Sequence, residues 1–208
     1  MSRGPCPLSV FDTFHSILRE PRHICLLDGG TGEELFRRGV PDDRKTWSAT
    51  AVVNPRYHEI LREVHRSYIN AGARFITTNS YGITPGVGFS ESDIKKYVKD
   101  AGRIAREAVT SSSSATLVCG SLGPLVESYR PDKIMTEAEG SRIYGVMIQE
   151  LNPNVDLILA ETMSSFEEAS QAVLAVANVK PSLPMMISFH LGPSGDLRTG
   201  ESANSAGT

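Results

Sequence analysis

Two carboxylates in this chain stand at the ends of strongly apolar runs. Asp28 closes Ile24-Cys-Leu-Leu27 and opens the glycine-rich stretch Gly29-Gly30-Thr31-Gly32, and Glu161 closes Leu157-Ile-Leu-Ala160. A carboxylate beside so apolar a run is costly unless it has a partner. If the two face one pocket they make a site for an ammonium group, while the amides after Asp28, at the start of a helix, take a carboxylate. Together that describes a site for an amino-acid zwitterion. The structural alternatives are a tight turn with Asp28 as a helix cap and Glu161 as an acid favoured by the dipole of the next helix. The glycine spacing is not GxGxxG and no Lys-Ser/Thr follows, so phosphate and nucleotide readings are weak.

Other polar residues gather at similar places. Thr77, Thr78, Asn79, Ser80 and Tyr81 follow an apolar run and suit the orientation of a small polar ligand; hydrogen bonds tying loops together are the alternative. Gly120-Ser121-Leu122-Gly123-Pro124 reads as a strand exit. His190 suits a base, a ligand or a loop hydrogen bond, and His65 suits a helix surface or packing position. Cys25 and Cys119 fall inside strands, where a thiol behaves as a small hydrophobe.

The elements that must position these residues follow from pattern and length. Strands are expected at Ile24 to Leu27, Arg74 to Thr78, Thr116 to Cys119, Asp156 to Ala160 and Pro184 to Phe189. Their continuous apolar character indicates burial on both faces, as in a parallel sheet. Between them run a short helix at Glu33 to Arg38, a helix opened by Asn54-Pro55 and ending near Gly72, and one carrying Ile94 to Ala108. Further helices are expected at Glu137 to Leu151 and from the Ser165/Glu168 capping box to about Asn178. Ser111 to Ser114 is expected as a loop. Strands alternating with helices imply right-handed crossovers, hence a doubly wound sheet or a piece of a (β/α) barrel. In either, chemistry gathers at the carboxyl ends of the strands.

The composition narrows the function classes. With 208 residues and 40% hydrophobic content, one domain is expected. A formal net charge of -3, with Lys and Arg scattered, gives no basic stripe for nucleic acid. The first twenty residues lack the apolar core of a signal peptide, and no run approaches a membrane span. Three cysteines, Cys6, Cys25 and Cys119, without CxxC spacing fit neither a disulfide framework nor a finger-type zinc site. A reducing, cytoplasmic location is expected.

The motifs LLDGGTGEELFRRG, the following Trp47, NPRYHEILREVHRSYINAGARFITTNSYG, VCGSLGP, ILAETMSSFEEA and SFHLGPSGDLRTGES stand in this order along the chain. The set resembles the homocysteine S-methyltransferase family, which includes betaine-dependent and S-methylmethionine-dependent enzymes. The resemblance runs from about Leu26 to Gly200. It implies an α/β fold of the (β/α)8 TIM-barrel family, with this chain covering about the first five β/α units. Residues 1–23 would form an N-terminal extension with a short helix, 24–200 a partial homocysteine-binding barrel, and 201–208 an irregular tail. The implied reaction is transfer of a methyl group from a sulfonium or betaine-type donor to a zinc-bound homocysteine thiolate. Carried over by position, Asp28 and Glu161 hold the homocysteine amino group, Gly29 and Gly30 offer amides to its carboxylate, Thr78 supports it, and Trp47 lines the pocket near the cationic donor.

The sequence also departs from that family. Its zinc-binding cysteines come from a Gly-x-Asn-Cys motif after strand six and a Gly-Gly-Cys-Cys motif after strand eight, and neither motif occurs here. By position, both would lie beyond Thr208, the last residue of the sequence. Zinc is therefore expected for the complete family member and not for this chain, which reads as a truncated or alternatively terminated product. Five strands cannot close the barrel that eight close, so open edges are expected at strands one and five. Self-association, or pairing of a non-catalytic form with a full-length partner, would follow.

Overall fold

The computed structural model describes residues 24–43, 46–112 and 115–207, together with Asp12, Ser16 and Arg19, which are helical. The expected N-terminal extension, Cys6 included, otherwise lies outside the described residues, as do Ser113 and Ser114 of the expected serine loop. The described elements are α1 (Thr31–Arg37), α2 (Thr50–Val53), α3 (His58–Asn70), β1 (Phe75–Thr77), α4 (Glu91–Thr110), β2 (Leu117–Leu122), α5 (Glu137–Leu151), β3 (Leu157–Met163), α6 (Phe166–Val179) and β4 (Met185–Phe189), with short 3-10 turns between some of them.

The four strands pair in parallel in the order β1-β2-β3-β4. This is the α/β arrangement expected, with one correction. Ile24 to Leu27 do not form a strand; a single parallel bridge joins Leu27 to Phe75, flanked by bonds from Arg74 N to the Leu26 carbonyl and from Asp28 N to the Phe75 carbonyl. The segment lies at the sheet edge with one neighbour, and Ile24, Leu26 and Leu27 stay exposed, Ile24 most of all at 88%. Apolar continuity alone does not make a ladder where no second strand completes it.

Period-two alternation sorts the strand residues. Ile76, Val118, Leu122, Ile158 and Ala160 turn toward α3, α4, α5 and α6 and join the main core. On the other face Phe75, Leu117, Cys119 and Leu157 form a second cluster, against which Cys25, Leu159 and Met186 pack. Continuing the same parity toward the strand ends brings Thr77, Ser121 and Glu161 onto that second face. The sheet therefore has an apolar base and a polar rim.

Caps start the helices where the sequence places them. The Ser90 hydroxyl accepts from Asp93 N while the Asp93 carboxylate accepts from Ser90 N. Asn54 accepts from Arg56 N, although the first turn there, Pro55–Tyr57, is 3-10. Ser165 accepts from Glu168 N, but the Glu168 carboxylate reaches Ser164 N rather than Ser165 N. The tail also differs from the irregular segment expected over 201–208. Ala203–Gly207 is a 3-10 helix, and Thr208 lies outside the described residues.

The loops after β1 and β2 meet at Gly86, whose N–H donates to the Leu125 carbonyl at 2.9 Å. A Cβ at Gly86 would overlap the main chain of Val126. Gly86→Ala is therefore expected to cost about 2 kcal/mol by overpacking, read as a lower urea midpoint at constant slope. An unchanged midpoint would mean that the two loops do not pack in this way.

Candidate active site

A cavity of about 410 Å³ opens at the carboxyl ends of the strands, lined by Asp28, Gly29, Trp47, Thr77, Thr78, Tyr81, Tyr129, Glu161 and Thr162 among others. Its size is that of a small-molecule site. Of the residues singled out from sequence, Asp28, Gly29, Trp47, Thr78 and Glu161 line it together; Gly30 does not, and instead occupies the N-cap of α1. A Cβ at Gly29 would come within 2.9 Å of the Tyr68 ring, which would have to shift to admit it.

Each carboxylate is held differently. Asp28 receives two hydrogen bonds from one residue of β1: Thr77 N donates to Oδ2 at 2.7 Å and the Thr77 hydroxyl to Oδ1 at 2.8 Å. Glu161 receives one, from the Ser121 hydroxyl to Oε1 at 2.5 Å. Burial pushes Asp28 up to about 6, against the pull of the Thr77 bonds, and the neighbouring Glu161 charge adds to the rise. Burial likewise raises Glu161, against the Ser121 bond. Among the described residues no Lys, Arg or His lines the cavity to neutralise the pair.

Thr78 has little left to offer a ligand. Its hydroxyl accepts from Ser121 N at 2.9 Å and pairs with the Ser80 hydroxyl at 2.8 Å, while Ser80 donates to the Ser121 carbonyl at 2.8 Å. Because the Ser80 proton goes to that carbonyl, the Thr78 proton goes to Ser80. Thr78 thus supports the site from its wall and has no proton for a ligand carboxylate.

Three residues of unusual backbone shape the rim. Trp47, Tyr129 and Thr162 have φ of 50°, 67° and 65°, and they are the non-glycine residues in the left-handed region among the described residues. All three line this cavity. Tyr129 and Thr162 carry no signal in the sequence pattern. Such strain costs on the order of 1–3 kcal/mol per residue and clusters at functional sites. Trp47 stacks on Tyr81 with ring centroids 6.2 Å apart, and the Tyr81 hydroxyl bonds Ser128 at 2.7 Å. His190 is a loop hydrogen-bonder: Nε2 meets Arg198 Nη2 at 2.8 Å, and its ring stands edge-on to Tyr129 at 4.6 Å.

The homocysteine S-methyltransferase family model matches residues 25–207. The chain belongs to this family. It is 30% identical to a homocysteine S-methyltransferase of Escherichia coli (strain K12) across 88% of the chain and 64% of that relative. A selenocysteine Se-methyltransferase of Brassica oleracea var. italica is 26% identical over 84% of the chain and 51% of its own length. The chain thus spans about half to two thirds of these relatives. Among solved structures, the metallated form of the homocysteine methyltransferase MmuM from Escherichia coli superposes with a TM-score of 0.79 and 29% identity, over 90% of this chain and 70% of that one. The fold is accordingly that of this TIM-barrel family.

Zinc does not fit the described residues. A zinc-bound sulfur site needs ligands that deprotonate readily. Cys119 is fully buried, and desolvation drives its thiol far above the usual range. Cys25 packs against the same apolar cluster. Among the described residues no three His, Cys, Asp or Glu side chains converge. Nor, among them, is any helix long and apolar enough to cross a membrane.

Proposed function

We propose that the cavity binds the zwitterion of homocysteine, and that the chain carries the acceptor-amino-acid half of a methyl-transfer site. The observation that carries this reading is the pair of half-buried carboxylates, Asp28 and Glu161, facing one cavity without a cation in its described lining. Two such charges are stable together only with a proton or a cationic ligand between them. A primary ammonium group satisfies both, and the Gly29 amide suits the carboxylate that accompanies it. The relatives act by name on homocysteine and selenocysteine, amino acids that share this zwitterion. The stacked Trp47 and Tyr81 offer an aromatic face to a cationic donor of the sulfonium or betaine type.

A second reading is an amino-acid-binding form that does not itself transfer methyl groups. The placement of Cys119 in the apolar cluster favours it, because burial keeps that thiol from serving as a thiolate ligand. Both readings require the same cavity to bind the amino acid.

Titration calorimetry with homocysteine and with N-acetyl-homocysteine tests that shared requirement. Acetylation removes the ammonium charge and is expected to weaken binding roughly tenfold or more, the worth of one charged hydrogen bond. Equal affinity for the two compounds would remove the zwitterion reading. Supplying zinc with S-methylmethionine or betaine and measuring methionine then separates the two forms.

A further inference from the structure

We propose that Ser121 is a positioning residue: its hydroxyl holds one oxygen of Glu161 against the cavity wall and leaves the other for the ammonium group of the ligand. This deepens the amino-acid reading above and rests on it.

The argument begins with the backbone. Ser121 lies in β2, fully buried, and pairs with Leu159 of β3 across the ladder. Both its main-chain groups enter a closed ring: its N–H donates to the Thr78 hydroxyl, Thr78 to Ser80, and Ser80 back to the Ser121 carbonyl. Thr78 and Ser80 are themselves 2% and 0% exposed, so water does not compete for these bonds. A buried, fully paired network of this kind has one arrangement. The Ser121 side chain takes no part in the ring, which leaves its proton to Glu161 Oε1. That bond is charge-assisted and short.

The consequence falls on the geometry of the carboxylate. Glu161 sits two residues beyond Leu159, near the register shift that β3 makes against β4 between Ala160 and Met163. The ladder therefore constrains it less than its neighbours. With Oε1 held by Ser121, Oε2 has no hydrogen bond from the described residues and belongs to the cavity. Asp28, by contrast, has both oxygens engaged by Thr77. The two acids thus differ in role. Asp28 is a fixed charge with spare lone pairs, and Glu161 presents a free oxygen. The other titratable groups around them are Tyr81 and Tyr129 in the cavity lining, Tyr68 beside Gly29, and Cys25 and Cys119 in the apolar cluster below. None of these supplies Glu161 with a donor in place of Ser121.

Ser121→Ala separates this role from a structural one, because the ring uses only the main chain of residue 121 and survives the change. Two measurements on the wild-type chain, Ser121→Ala and Ser121→Thr decide the matter. The first is the side-chain carboxyl titration of Glu161 followed by NMR without ligand. The second is homocysteine affinity by calorimetry across a pH series. Removing the hydroxyl is expected to raise the Glu161 titration by about one pH unit and to weaken homocysteine about tenfold, with the affinity profile moving to higher pH. Thr, which restores a hydroxyl, is expected to recover both. A Glu161 titration that is the same in wild type and Ser121→Ala would overturn the proposal, and so would homocysteine affinity unchanged by the alanine. If the titration moves while homocysteine binds no variant, wild type included, Ser121 still positions Glu161 and the homocysteine reading is what fails.

Discussion

Asp28→Asn is expected to stabilise the fold at neutral pH by about 3 kcal/mol while weakening homocysteine binding about a hundredfold. Burial raises the Asp28 carboxyl from 3.8 to about 6. A carboxyl raised on folding holds its proton in the native state while the unfolded chain releases it. Stability therefore falls as pH rises from about 3.8 to 6, and at neutral pH the whole penalty is present. Asparagine has the same shape and no charge. Its oxygen still accepts from Thr77 N, and its amide can donate to the Thr77 hydroxyl, so the contacts of the native residue are kept. The gain should appear in urea unfolding at neutral pH and vanish in acid. The loss should appear in calorimetry with homocysteine, because in the proposed complex the ammonium group then meets one carboxylate instead of two. A variant that bound homocysteine as the wild type does would remove Asp28 from the site.

His65→Leu carries the second large effect, with the opposite dependence on pH. His65 is fully buried in α3, on the face it shares with Leu61, Val64 and Ile69, and both its ring nitrogens lack hydrogen-bond partners among the described residues. Desolvation lowers its pKa from 6.5 to about 4. The ring stays neutral in the native state while the unfolded chain takes up a proton below 6.5. Its contribution is therefore complete above that value and is lost as pH falls toward about 4, a change of about 3 kcal/mol. Leucine removes both the titration and an unpaired polar ring. The expected result is a more stable protein that lacks this gain of stability with rising pH between about 4 and 6.5. Parallel pH curves for wild type and variant would show that the ring finds a partner in solution.

The two effects run against each other in the wild type. Between about pH 4 and 6 His65 gains stability with rising pH as Asp28 loses it, so their contributions nearly cancel. Each single variant should expose the slope of the other. Asp28→Asn leaves a curve that rises with pH, and His65→Leu leaves one that falls.

Much of the site is legible in the sequence because strand ends in a parallel sheet are marked by a change from apolar to polar residues. Asp28, Thr78 and Glu161 carry that mark, and they do share a cavity. The mark misplaces the strand ends, however. β2 runs on through Gly120 and Ser121 to Leu122, and β3 through Glu161 to Met163. The polar residues are the rim of the ladder and not its end, because backbone pairing continues where the side chains begin to face the cavity. Ser121 therefore looks like part of a turn in the sequence and is a strand residue in the fold. Gly120 packs inside the strand, where a Cβ would come within 3.0 Å of Ile158 and Leu151. Ile24 to Leu27 fail in the opposite way, since their apolar run meets a sheet edge. Tyr129 and Thr162 leave no trace in spacing or composition, because what distinguishes them is backbone conformation.

The left-handed backbone at Trp47, Tyr129 and Thr162 also bears on how this sequence would change over generations. Glycine or asparagine at any of the three would relax the main chain, and Thr162, being β-branched, holds the most uncomfortable of these conformations. Drift alone would therefore erode these three side chains early. In a lineage that still needed the cavity they would persist against that pull, and in one that had put the fold to another use they would be among the first to soften.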